Sequence, residues 1–363
     1  MKIVITAIAF LFNSLFSISQ TSESWYKVYT GKAGNLSATL HLCKADKNYS
    51  GYIWFDKIPW PMPLYYNEPA EKTDSLIMSA SSGSISIVLS GILKGDNYTG
   101  NSVLAKENSP SKTAPFQLQL SNEKKFTPFE YYFTHGHSKL LPEIKNESEF
   151  DYISATIWPV DKGILSEAIK KQIRLLLSIP ATITQPAKWI ADQKTKYMAA
   201  WKKNNSKMSP KEASEMGLSL SEEEESRVMV MYENELYINL ANYNYSFTGG
   251  AHGNYATTLV TLNKANGKVL QLTDVLTAAG IKSLPSILDR VARIQYDIKN
   301  NNPLDQNDFL VKKIEPAKNF YITTNGIGFL YATYELKSFA EGEVNLFIPF
   351  TALNNYLQPS FKH

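Results

Sequence analysis

Polar and apolar residues alternate with a period of two near the start of this chain, and they do so twice with the same punctuation. In residues 37–55, SATLHLCKADKNYSGYIWF, Ala38, Leu40 and Leu42 alternate with polar neighbours, a turn follows at 44–48, and a second run covers 52–55. Residues 84–105 repeat the scheme: alternation, a Gly95-Asp96-Asn97 turn, then Tyr98-Thr99-Gly100 where the first copy has Tyr49-Ser50-Gly51. Successive side chains of a strand point to opposite faces, so this period specifies strands, and the charged turns join them as hairpins. A weak repeat of roughly 50 residues predicts an antiparallel meander or small barrel over residues 20–139.

Between the two copies, Pro59, Pro61 and Pro63 remove ladder donors and force an extended edge or loop. Trp60, Tyr65 and Tyr66 on that stretch form either an exposed aromatic shelf for sugar rings or a protein partner, or a cap over one end of the β core. The chain is rich in such rings, with 21 Tyr, 17 Phe and 6 Trp, concentrated in segments that read as strands. Cys43, the only cysteine, lies inside a strand pattern and reads as a small buried hydrophobe, so no internal disulfide is expected. Alternate residues His135 and His137 share a strand face, but two ligands are too few for a structural zinc site, and no metal is expected there.

At the N-terminus, Lys2 precedes an apolar run from 3 to 12 and the small-residue pattern Ser17-Ile18-Ser19. This has the form of a signal peptide over 1–19, too short in its apolar part to span a bilayer at ~20 residues. Export to the periplasm or the outside follows, with no membrane span in the mature chain. A net charge of +3 on scattered Lys and Arg argues against nucleic acid as a partner.

A linker is expected at 140–149 and a second, α+β domain at 150–363, divided into 150–226 and 227–363. Its pattern is a strand at 150–158, helices at 165–177 and 187–203, and strands at 227–233 and 236–245. Glu222 to Glu225 read as a solvated turn, without the glycine and spacing of a calcium loop. Ser283 is the expected cap of an amphipathic helix with Leu284, Ile287, Leu288, Val291, Ile294 and Ile298 on one face. In the middle stands NYSFTGGAHGNYATTLVTL, residues 244–262, where Gly249, Gly250 and Gly253 bracket His252. Three glycines within five residues require backbone to approach something closely, by positive φ or by packing.

YSFTGGAHGNY, then TLNKANGKVLQLTDVL, then FYITTNGIGFLYATYELKSFAEGEVNLFIPFTAL, resembles the extracytoplasmic domain of unknown function shared by RsiV-type anti-sigma factors and PdaC-type peptidoglycan deacetylases. The resemblance covers 150–357, with the helix pair at 165–203 similar to a companion module. It implies helices packed on an antiparallel sheet, and in the family the best-known activity is binding lysozyme. The chain shows neither a transmembrane helix with a sigma-binding segment nor a separate deacetylase domain.

The expected function is therefore noncatalytic binding of a cell-envelope ligand, either a lysozyme-like protein or peptidoglycan glycan, without a cofactor. The candidate binding residues are Gly249, Gly250, His252, Gly253, Tyr334, Trp60, Tyr65 and Tyr66. The alternative is a cell-envelope hydrolase with His252 as general base, since an imidazole suits proton transfer near neutral pH. No G-x-S-x-G or H-E-x-x-H motif accompanies that histidine.

Overall fold

The computed structural model describes residues 24–67, 75–83, 85–106, 109–141, 148–300 and 302–361. The expected leader at 1–19, most of the expected linker and His363 lie outside them.

Eight strands form a closed up-and-down barrel: β1 (Ser24–Ala33), β2 (Leu36–Ala45), β3 (Asn48–Phe55), β4 (Met62–Asn67), β5 (Leu76–Ser82), β6 (Ile85–Lys94), β7 (Asn97–Lys106) and β8 (Lys112–Leu120). Each pairs antiparallel with the next, and β1 closes on β8 from Tyr29↔Leu120 to Ala33↔Phe116. Closure removes the free edges of a meander. The inward alternate residues fill the interior: Leu40, Leu42, Ile53, Phe55, Met62, Met78, Leu89 and Leu118 are buried together. Tyr98 is buried with them, and its hydroxyl donates to the carbonyls of Leu76 (2.9 Å) and Leu89 (3.2 Å).

The second sheet has the order β13-β12-β11-β10-β9, from β9 (Phe129–Lys139), β10 (Glu149–Pro159), β11 (Glu222–Glu233), β12 (Tyr237–Phe247) and β13 (Asn254–Asn263). Two findings differ from the sequence reading. β9, expected to end the β-rich domain, pairs along its whole length with β10, so the two sheets part at 121–128. A hairpin's hydrogen bonds outweigh its position in the chain. The sheet is also mixed, because β10 and β11 run parallel. A parallel pair needs a long crossover, here α1 (Ile164–Leu176), α2 (Pro186–Asn205) and α3 (Pro210–Met216). Glu222 to Glu225 are correspondingly part of β11, half-buried and paired with β10 and, from Glu223 on, with β12, rather than a solvated turn.

A third sheet, β14-β15-β16, comprises β14 (Phe320–Ile322), β15 (Gly326–Tyr331) and β16 (Val344–Pro349). It shares a core with α4 (Leu272–Val275), α5 (Ala278–Gln295) and α6 (Phe350–Leu353). The cap of α5 is Thr277, whose side chain accepts from Gly280 N, while Ser283 lies inside the helix and donates to Ala279 O at 2.9 Å. Leu284, Ile287 and Leu288 face the core as expected, but Ile294 is 77% exposed.

Barrel and second sheet are packed together. Cys43, Ala45 and Tyr52 point out of the barrel into a core with Tyr131, Ala155, Val228 and Phe347. The Cys43 thiol is buried and burial pushes its pKa well up, the state of an inert hydrophobe.

Candidate functional site

Where the three sheets meet lies a cleft of about 550 Å³. β3 and β4 bring Tyr52, Tyr65 and Tyr66 to one wall, the second sheet brings Glu225, Arg227, Tyr243 and Tyr255, and the third brings Tyr321, Glu343 and Asn345. The second-sheet wall follows from register. Arg227 lies opposite Tyr243, Tyr243 opposite Thr257, and Glu225 and Arg227 are two residues apart on one face.

Polar groups are fixed by neighbours rather than left to solvent. Glu343 accepts from Thr257 N at 2.5 Å and from Thr257 Oγ1 at 2.8 Å. Burial holds its pKa above the ordinary carboxylate value in spite of those bonds. Arg227 pairs with Glu225, and Tyr321 Oη donates to Asn345 at 3.1 Å. Burial raises the phenols of Tyr52, Tyr65 and Tyr243, so each stays a neutral donor and acceptor at neutral pH. Tyr65 nonetheless keeps 57% of its surface exposed, which leaves a ring edge or face for a ligand.

Tyr65 and Tyr66 thus stand together on the cleft wall. Trp60 departs from the exposed-shelf reading: it is half-buried, its ring lies 5.9 Å from that of Phe347, and it packs between the barrel core and the second-sheet core. The neighbouring Pro59 carbonyl accepts from Thr323 Oγ1 at 3.2 Å, so this stretch docks the barrel on the third sheet.

The glycine corner lies beside the cleft. Gly249 has φ +82°, and a Cβ there would sit 2.3 Å from Ser219 O; Gly250 has φ +104°. A Cβ on Gly253 would enter the Tyr245 ring. The corner turns His252 outward, stacked on Phe339 at 4.0 Å. Its Nδ1 donates to Gly253 O at 2.8 Å, and Tyr334 Oη donates to Nε2 at 3.5 Å. Tyr334 is 53% exposed and held at φ +67°. Phe339 also packs edge-on against Tyr255, so His252 and Tyr334 join the cleft through two rings. The structure brings Tyr65, Tyr66, His252 and Tyr334 to one side of the molecule and leaves Trp60 in the packing. Sequence reasoning missed Arg227, Tyr243, Tyr255 and Glu343; the alternation Tyr243, Tyr245 on one strand was the available signal.

His135 and His137 stand elsewhere on the second sheet. Register places Asp151 directly opposite His137, and both rings approach Asp151 Oδ1, at 3.4 Å and 3.1 Å. The strand pairing adds carboxylates to a histidine pair that is isolated in the sequence.

Residues 144–255 match the family described as "Deacetylase PdaC", and residues 274–351 match "Protein of unknown function (DUF3298)". A solved structure of a DUF3298 family member from Bacteroides fragilis is similar with a TM-score of 0.56 at 19% identity, covering 65% of this chain and 96% of that one. A DUF3298 family protein from Pseudomonas aeruginosa gives a TM-score of 0.46 at 15% identity, with the same coverages of 65% and 96%. No curated protein matches the chain. The glycine corner falls in the first matched segment, Tyr334 and Glu343 in the second, and the barrel strands in neither. Beyond its barrel, the chain therefore resembles the PdaC-type and DUF3298 families in succession, a cell-envelope-associated module.

Proposed function

We propose that this chain is an exported, noncatalytic binding protein whose ligand is a wall glycan held in the tyrosine-lined cleft. The cleft itself is the observation that carries the reading. Its volume of about 550 Å³ falls in the range of small-ligand sites, ~300–1,000 Å³. Neutral tyrosines offer both a face for sugar rings and hydroxyls for sugar hydroxyls, and Glu343 and Arg227 add fixed polar partners. A protein the size of lysozyme needs a broader surface of ~800 Å² per partner, so the concave recess favours the glycan. The family relation to the cell envelope supports the compartment, and no described helix is long and apolar enough to cross a membrane.

The contacts of His252 support binding over hydrolysis. One ring face is covered by Phe339 and one nitrogen is committed to a backbone carbonyl. The other nitrogen faces the Tyr334 hydroxyl at 3.5 Å, and among the described residues no carboxylate bonds to the ring to orient it as a general base.

Titration with soluble peptidoglycan strands, followed by calorimetry, tests the proposal. Saturable binding is expected, weakened by about tenfold or more in Tyr65→Ala and in Tyr243→Ala. Binding that survives both substitutions moves the site away from the cleft. Release of reducing ends or acetate that disappears in a folded His252→Ala variant overturns the noncatalytic reading.

A further inference from the structure

On the β9–β10 hairpin we infer a binding site for an imidazole-preferring divalent metal ion such as Zn²⁺, with His137, Asp151 and Glu149 as ligands and His135 completing the set. The donor atoms of His137, Glu149 and Asp151 all lie within 4.8 Å of one another. His135 Nε2 reaches the same Asp151 oxygen at 3.4 Å, against 3.1 Å for His137 Nδ1. At Zn–N and Zn–O bonds of ~2.0–2.1 Å, the edges of a tetrahedral site are about 3.3 Å long, so both separations already suit a shared ion.

The arrangement follows from strand geometry. His135 and His137 are two apart on β9, Asp151 and Glu149 two apart on β10, and the register puts all four on one face. The opposite face belongs to α2, where the space above Gly136 is filled by Met198 and Lys194. The donor face is partly open, with side-chain exposures between 34% and 48%. Two neutral imidazoles and two carboxylates would balance a dication, and the donor types match those of zinc, copper and nickel sites rather than calcium.

Charge on the next strand points the same way. Glu223 lies directly across from Asp151 in the parallel register. Like charges so placed repel. A bound cation relieves that repulsion. Lys139 now partners Glu149 at 3.1 Å and would be displaced. Both histidines precede the segments matched by either family, whereas Glu149 and Asp151 fall inside the first, so the site joins β9 to a strand of the matched region. It stands apart from the tyrosine cleft and does not depend on the glycan reading.

Calorimetric titration of the intact mature protein with Zn²⁺, at about 0.15 M salt with excess Mg²⁺ present, tests the site. One saturable equivalent is expected, weakened at least about tenfold in His137→Ala and in Asp151→Asn, a floor set by the loss seen for mere outer-shell partners. Lys139→Ala should bind as tightly or more tightly, because it frees Glu149. Absence of saturable uptake, or uptake unchanged in a His135→Ala/His137→Ala double variant, overturns the proposal. Should those variants fail to fold, electron paramagnetic resonance of the wild-type protein with one equivalent of Cu²⁺ decides. Hyperfine structure from two imidazole nitrogens supports the site, and none or one overturns it.

Discussion

His41 occupies a position that the alternation of β2 assigns to the outer, solvated face, yet it is 2% exposed. The second sheet covers that face, so β2 is buried on both sides, which no local pattern in residues 36–45 announces. The ring is held by Tyr26 Oη at 2.7 Å and stacks near its ring. Burial, and then the nearby Lys264 ammonium, push its pKa down to about 3. The sign follows from linkage. Between that value and ~6.5 the unfolded chain binds a proton that the folded one refuses, so stability is fully present above ~6.5 and is lost as pH falls toward 3. The slope should approach ~1.4 kcal/mol per pH unit. Urea denaturation across this range, repeated on His41→Gln, measures it: the substitution should flatten the acid limb. The raised carboxyls of Glu233 and Glu343 act in the opposite direction and are common to both proteins. Glu343 illustrates the other limit of local reading. Its partner Thr257 is 86 residues away, so nothing around position 343 marks it.

At the scale of elements, the repeated Tyr-(Ser/Thr)-Gly acquires a physical meaning. A Cβ on Gly51 would fall 1.9 Å from His41 O, and one on Gly100 would fall 2.1 Å from Ser90 O. Each glycine therefore lets β3 or β7 close against the strand ten residues earlier, at matching places in the two halves of the barrel. Glycine in a strand commonly marks such a close approach or a corner. Gly51→Ala or Gly100→Ala should each cost about 1–3 kcal/mol or more through overpacking, read as a lowered denaturation midpoint. Alanine at Gly95, where the added atom meets nothing within 4 Å, changes φ strain alone and is the control. Strands, turns and the barrel itself were legible because period and punctuation agree. The parallel β10–β11 pair was not, since parallel register leaves no signature in either strand. Nor was the start of α5, where Ser283 offers a plausible cap but Thr277 sits before a longer helix containing Pro285.

The whole molecule is organised around contacts between sheets. The cleft takes one wall from each of the three, and the resemblance to known families accounts for two of them. Tyr65 and Tyr66 were legible as candidates from the proline-spaced stretch, although only Tyr65 is exposed and Tyr66 packs against the barrel core. Their meeting with Tyr243 and Glu343 was not, since it depends on how the barrel docks through Trp60 and Thr323.

The pairing of β9 with β10 limits where this chain can be cut. Beginning a shortened protein at residue 144, where the matched region starts, would strip away the neighbour of a strand buried for most of its length. Eleven residues from Glu149 would be left with an unsatisfied hydrogen-bonding border. Such a fragment should self-associate in light scattering more strongly than one starting near 121, which keeps β9 although it too loses the barrel's cover over Tyr131, Ala155 and Val228. Equal behaviour of the two would mean that the hairpin is dispensable.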